Sequence, residues 1–219
     1  MKKISLIAGI LVILTGLVIA SYPWLQAAYS SWLQMRAMNA WLAQPPTMTG
    51  APAPVPDAAV SGGLRQADLE EEDENVPFDG EYVLKNMVGI ITINKINLKA
   101  PILPGATAYH LNLAVCSVAG AGEMGRAGNY VLAGHKSRVK GRFFSRISEL
   151  AEGDAIIVEN RQSEYTYRVT EFFLVTPEDT WVMDHVTDSK MITLITCDYR
   201  TNPTGRLIVR GELTGEAEK

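Results

Sequence analysis

The chain has 219 residues, 47% hydrophobic and 20% charged, with 24 acidic against 20 basic side chains and a formal net charge of −4. That balance allows one ordinary domain plus extra segments and gives no basic footprint for nucleic acid. Two cysteines in this length exclude a scaffold built on disulfides.

Lys2 and Lys3 are followed by no charged residue until Arg36, and Ile4 to Tyr22 is almost wholly apolar. About 20 apolar residues let a helix cross a hydrocarbon core of roughly 30 Å. A helix is the single-segment solution because each backbone amide finds its partner inside the segment. The lysines predict a cytoplasmic N-terminus with the rest exported, hence a single-pass protein of the cell membrane with its folded domain extracellular. A cleaved signal peptide, cut after the "VIA" before Ser21, is the alternative, but the run exceeds the usual ~7–15 residues of such a segment. We assign 1–22 as cytoplasmic tip and transmembrane anchor.

Residues 23–44 carry Trp24, Leu25, Tyr29, Trp32, Met38 and Trp41 at largely helical spacing, and read as a juxtamembrane helical stalk. Its tryptophans suit the membrane interface; a stalk with sticky side chains is the plainer alternative. Pro45 and Pro46 end it. Residues 45–78 form a linker, "PPTMTGAPAPVPDAAVSGG" followed by the acidic "LRQADLEEEDEN".

Residues 79–219 form the folded domain. "VGIITINKINLKAPIL", "NYVLAGH", "DAIIVEN", "EYTYRVTEFFLV", "MITLITC" and "GRLIVRGEL" are short, β-branched or aromatic, and separated by Gly, Asn, Asp and Pro. In the second half only "RFFSRISELAEGD" reads as a short helix. Seven or eight strands with few helices describe an all-β domain. A closed barrel and a sandwich both satisfy that pattern.

The histidines are His110, His135 and His185, and the cysteines Cys116 and Cys197. Without a CxxC or HExxH a structural zinc site is not expected. His135 ends "NYVLAGH", Cys197 ends "MITLITC" and Arg206 opens "RLIVRGEL". Strand ends of a barrel can converge on one rim. A thiolate there attacks an acyl carbon, an imidazole exchanges protons with thiol and leaving amine, and a guanidinium steadies an oxyanion. By spacing alone Cys197 is also read as a small core residue, the commoner case for a lone cysteine after an apolar strand, or as half of a disulfide with Cys116.

The motifs "TLITC" and "RLIVRGEL", with "YVLAGHKSRVKGRFFSRISELAEGDAIIV" upstream, resemble those of the sortases, cysteine transpeptidases of Gram-positive cell surfaces. "GIITINKINLKAPIL" resembles their opening strand pair, "PGATAYHLNLA" the segment after it, and "FFLVTPEDTWVM" the strand and turn before the cysteine strand. The resemblance runs from about Met87 to Leu213. It implies an eight-stranded sortase-type β-barrel with short helices, here preceded by the N-terminal transmembrane helix, and a groove leading to the cysteine. Carried over, Cys197 is the nucleophile, His135 the general acid/base and Arg206 the arginine that binds the sorting motif and stabilises the oxyanion. Thr196, beside the cysteine, lines the substrate site. Arg210 is the rival arginine, on the same face about 13 Å further along the strand.

The implied reaction cleaves an LPXTG-like sorting signal of a secreted protein between Thr and Gly through a thioester. An amine from a cell-wall precursor, or a lysine of another surface protein, then accepts the acyl group. No cofactor and no metal is implied; no acidic cluster suited to calcium stands out in the domain. The single anchor and the short loop after "TWVM" fit a class D-like or class A-like member. Cys116 in "LAVCSVAG" departs from the family pattern. Alternative functions are a tethered, non-enzymatic binding barrel and a hydrolase in which water resolves the thioester.

Overall fold

The structure is a computed structural model. It describes residues 32–44, 78–136, 143–198 and 205–219, together with Thr15, Gly16, Ser21, Leu25 and Tyr29. Nearly all of the expected anchor, and the linker up to residue 77, lie outside the described residues. Among the described residues no helix is long and apolar enough to cross a membrane.

Helix α1 covers 32–42 and stops ahead of Pro45, as the prolines require. Helix α2, Gly80–Asn86, opens the domain. Asp79 caps it, accepting the Tyr82 N–H at 2.9 Å. Strand β1, Gly89–Ile93, turns through a 3-10 segment and Asn97, at φ 52°, into β2, Leu98–Pro104. Helix α3, Ala108–Leu113, capped by Thr107, was not anticipated from the sequence; it lets the chain enter β3, Val115–Ser117, parallel to β2. Then come β4, Gly128–Ala133; β5, Ala155–Glu159; β6, Ser163–Val175; a 3-10 turn at Thr180–Met183; β7, Lys190–Asp198; and β8, Gly205–Glu218.

These eight strands close in the order β1-β2-β3-β4-β7-β8-β6-β5, which decides for the barrel against the sandwich. Closure rests on β1 pairing with β5 and on the long antiparallel β6–β8 ladder, from Ser163 opposite Glu218 to Val175 opposite Arg206. The helix expected in "RFFSRISELAEGD" is corrected. Its described part is a turn over 143–146 and a single 3-10 turn, Ile147–Glu149. Phe143, at φ 46°, breaks the helical course, while Phe144, Ile147 and Leu150 are drawn into the barrel core.

All six residues of β4 are buried, so it reads as a continuous apolar run rather than an alternating one. Inside the barrel Leu132, Leu194, Val209 and Tyr167 share one core. Outside, Val131, Ile195 and Ile208 are covered by Val182 of the β6–β7 connection. A third cluster joins Met38 and Trp41 of α1 to Val83 of α2, Leu111 of α3, Cys116, Ala133 and Cys197. The stalk helix is therefore docked on the barrel.

Candidate active site

Cys197 and Arg206 are direct partners across the β7–β8 ladder, so their side chains leave the same face of the sheet. On the other side of β7 runs β4, in parallel, with Ala133 opposite Ile195. The Gly134 N–H continues that ladder by donating to the Ile195 carbonyl at 3.0 Å. His135 is the next residue along, which brings it level with Cys197. The three residues thus lie in one row across adjacent strands, on the barrel's outer face. Gly134 makes this possible: a Cβ there would meet Phe144 Cδ2 at 2.7 Å.

All three side chains are buried, Cys197 1%, His135 3% and Arg206 5% exposed. The resemblance implies a groove leading to the cysteine, whereas these three groups are covered and not open to solvent. Open space begins beside them, in a groove that reaches Arg206 and Ile195. Its floor is Ile195, Ile208 and Val175; its wall is the β6–β7 connection, with Thr176, Asp179, Val182 and Met183.

The wall is fastened from below. The Thr193 hydroxyl donates to Asn129 Oδ1 at 2.7 Å, and Asn129 Nδ2 donates to the Val182 and Asp184 carbonyls at 2.9 and 3.3 Å. Arg210 Nη1 pairs with Glu171 at 3.1 Å and Nη2 reaches the Val182 carbonyl at 3.5 Å. Its guanidinium lies 5.2 and 5.1 Å from the stacked rings of Phe173 and Trp181. Asp179 closes the turn, accepting the Thr176 N–H and hydroxyl at 2.8 Å each, and these bonds hold its carboxyl below the usual range. The sequence reading missed these residues. The signals it offered were an asparagine within an apolar strand and the turn-forming "TPED".

The rival arginine is separated by register. Arg210 stands opposite Thr193, four residues from the Cys197 pair, and serves the wall. Thr196 faces away from Cys197: it is buried opposite Leu207 on the core side, and its hydroxyl donates to the Gly134 carbonyl at 2.8 Å. Cys116 and Cys197 are both thiols, not a disulfide. Burial pushes the Cys116 thiol well above its ordinary pKa. His110 lies elsewhere, its Nε2 2.7 Å from the Tyr82 hydroxyl between α2 and α3. The His185 ring packs against Gly128, which has φ 127°. Among the described residues no three His, Cys, Asp or Glu side chains gather as a metal site.

The structure is thus a closed eight-stranded barrel carrying cysteine, histidine and arginine in one row beside an apolar groove. The family model described as Sortase domain matches residues 91–214, more than half of the chain. The chain belongs to the sortase family. Sortase A of Bacillus anthracis is 39% identical over 137 residues, 62% of this chain and 63% of that protein. Sortase A of Listeria monocytogenes is 32% identical over 127 residues, 58% and 56% of the two chains. The chain thus spans less than two thirds of either relative's length. The solved structure of Listeria monocytogenes sortase A superposes with a TM-score of 0.57 at 32% identity, covering 61% of this chain and 91% of that one.

Proposed function

We propose that the protein is a membrane-anchored cysteine transpeptidase, of the A or D type, that acts on LPXTG-like sorting signals. The observation that carries the reading is the register row of His135, Cys197 and Arg206 at the end of an apolar groove, within a family of transpeptidases. The groove takes the signal as an extended peptide, its aliphatic residues over Ile195, Ile208 and Val182. The Cys197 sulfur attacks the Thr–Gly carbonyl carbon, and Arg206 steadies the oxyanion. The C–N bond breaks as His135 hands a proton to the departing glycine amine, leaving a thioester. An amine of a cell-wall precursor, or a lysine of another surface protein, then attacks the thioester carbonyl. Its lost proton returns to the histidine and the thiol is restored. Because the sulfur is 1% exposed, acylation requires the packing over it to open when peptide binds.

Thr196 acts through the backbone: its bond to Gly134 fixes the strand end that bears His135. Residues 1–22 supply the anchor with the N-terminus cytoplasmic, 23–44 a helix, 45–78 a linker and 79–219 the extracellular catalytic domain.

The test incubates the full chain with an LPXTG peptide, with and without a glycine-based amine, and follows products by mass spectrometry. The expected result is a Cys197 thioester, transfer product when amine is present, and neither in Cys197→Ala. Product in that variant, or no acylation of the folded wild type, would sink the proposal. Release of acid alone, whatever amine is supplied, would make the protein a hydrolase.

A further inference from the structure

Helix α1 and the helical residues ahead of it present two faces that point in opposite directions. At about 100° per residue, Ala37, Met38 and Trp41 cluster on one side. These are the side chains buried against the barrel, 7%, 0% and 4% exposed. The β5–β6 turn grips the same end: the Arg161 guanidinium lies 4.7 Å over the Trp41 ring and Nη2 donates to Gln44 Oε1 at 3.1 Å. Leu25, Tyr29, Trp32 and Arg36 fall in a stripe about 60° wide, roughly 150° from the buried side. That stripe is bare, with Leu25 56%, Tyr29 62% and Trp32 53% exposed. It is also ordered within itself. The Tyr29 and Trp32 rings stack with centroids 6.1 Å apart, and the Arg36 guanidinium lies 5.4 Å over Trp32.

A helix docked by one face on a soluble domain ordinarily turns polar residues to water on the other. Here the outer face is aromatic, and its place in the chain names what covers it. The stripe begins three residues after the apolar run Ile4–Tyr22. Tyrosine and tryptophan with a basic neighbour is the composition that settles among lipid headgroups, ring towards the acyl chains and polar atoms towards water.

We infer that this helix lies along the membrane surface, clasped between lipid and barrel, with Leu25, Tyr29 and Trp32 in the headgroup layer and Ala37, Met38 and Trp41 on the protein. The inference rests on the proposed anchoring of residues 1–22. Its consequence is orientation. The helix belongs to the apolar cluster that continues through α2 and α3 to Cys116, Ala133 and Cys197, so the barrel is held to the bilayer in one pose. The distance between membrane and active site is then set by the thickness of a helix and not by the reach of residues 45–77.

The test uses the full chain with both native cysteines changed to alanine and single cysteines introduced as Tyr29→Cys, Trp32→Cys, Arg36→Cys and, on the barrel, Thr170→Cys. Each carries an environment-sensitive fluorophore and is reconstituted into phosphatidylcholine–phosphatidylglycerol vesicles containing nitroxide-tailed lipid. A helix lying flat gives blue-shifted, lipid-quenched emission at 29, 32 and 36 at one common depth, and water-like emission at 170. A stalk standing upright would carry residue 36 about 10 Å further from the bilayer than residue 29, with quenching falling steadily between them. That gradient, or water-like emission at all three sites while the chain still pellets with vesicles after carbonate washing, overturns this inference and leaves the anchor intact. Failure to pellet overturns the anchor and this inference together. A blue shift without lipid quenching, accompanied by cross-linked dimers, assigns the stripe to a second copy and overturns it as well.

Discussion

At the scale of single residues, strand position separates groups that the text of the chain treats alike. Cys116 stands opposite Ala133 on β4, and Ala133 stands opposite Ile195, two residues short of Cys197. Two strand spacings and that offset put the cysteine Cα atoms about 11 Å apart, beyond the ~7 Å limit for a disulfide. Cys116 also lacks a cationic neighbour in its row, and burial keeps it protonated. In Cys197→Ala, the remaining thiol is therefore expected to resist alkylation at neutral pH until the protein is unfolded, read by mass spectrometry. Arg206 and Arg210 divide in the same way. Arg206→Ala is expected to lower kcat by roughly 10²–10³-fold, the usual cost of losing an oxyanion partner, with a far smaller effect on KM. Equal acylation rates in variant and wild type would remove Arg206 from the chemistry.

At the scale of elements, the β6–β7 connection is a wall held in place before any peptide arrives. Asn129 reads both Val182 and Asp184 carbonyls while buried beside Thr193. Asn129→Ala strands those groups and is expected to cost about 1–3 kcal/mol in urea unfolding. Arg210→Gln removes the guanidinium from the Phe173–Trp181 stack and should raise KM for the sorting peptide while leaving kcat near wild type, the opposite split from Arg206→Ala. Asp179 gives the wall a pH dependence. Its native pKa is lowered, first by the Thr176 N–H and then by the Thr176 hydroxyl. The ordering it provides is therefore complete above the ordinary carboxylate range, near pH 4, and disappears as pH falls through the lower native value. Trp181 Nε1 lies 3.3 Å from Asp179 Oδ1, so its fluorescence should report an acid transition that Asp179→Asn abolishes.

At the scale of the whole molecule, closure and burial set the alkaline limit. Tyr167 is wholly buried in the barrel core and its hydroxyl accepts the Gly125 N–H at 2.9 Å. Burial pushes its pKa up to about 12, against the opposing pull of that bond. The unfolded phenol loses its proton near pH 10 while the native one keeps it. Stability is thus full below pH 10 and falls as pH rises towards 12, by up to about 2–3 kcal/mol from this group. Tyr167→Phe should flatten that part of the profile in pH-dependent denaturant titrations, at the cost of the Gly125 bond. A curve unchanged by the substitution would place the alkaline loss elsewhere. The docked α1 belongs to this scale too, since it makes part of the segment read as a stalk part of the body.

The sequence by itself determined the strand-rich character of the domain, because local alternation and turn residues suffice for that. Through "TLITC", "LAGH" and "RLIVRGEL" it also singled out Cys197, His135 and Arg206. It did not distinguish barrel from sandwich, since each strand has the same period in both; the β1–β5 pairing decided that. It overcalled a helix at "RFFSRISELAEGD", where core packing of Phe144 and Ile147 overrides local propensity. It set Thr196 beside the nucleophile, where the period of two turns it to the core. It could not assign Asn129 or Arg210 to the wall, because their partners lie tens of residues away and meet only when the sheet closes. Chemistry is written in residue types at strand ends, but which side chains share a face is a property of register, and register exists only between strands.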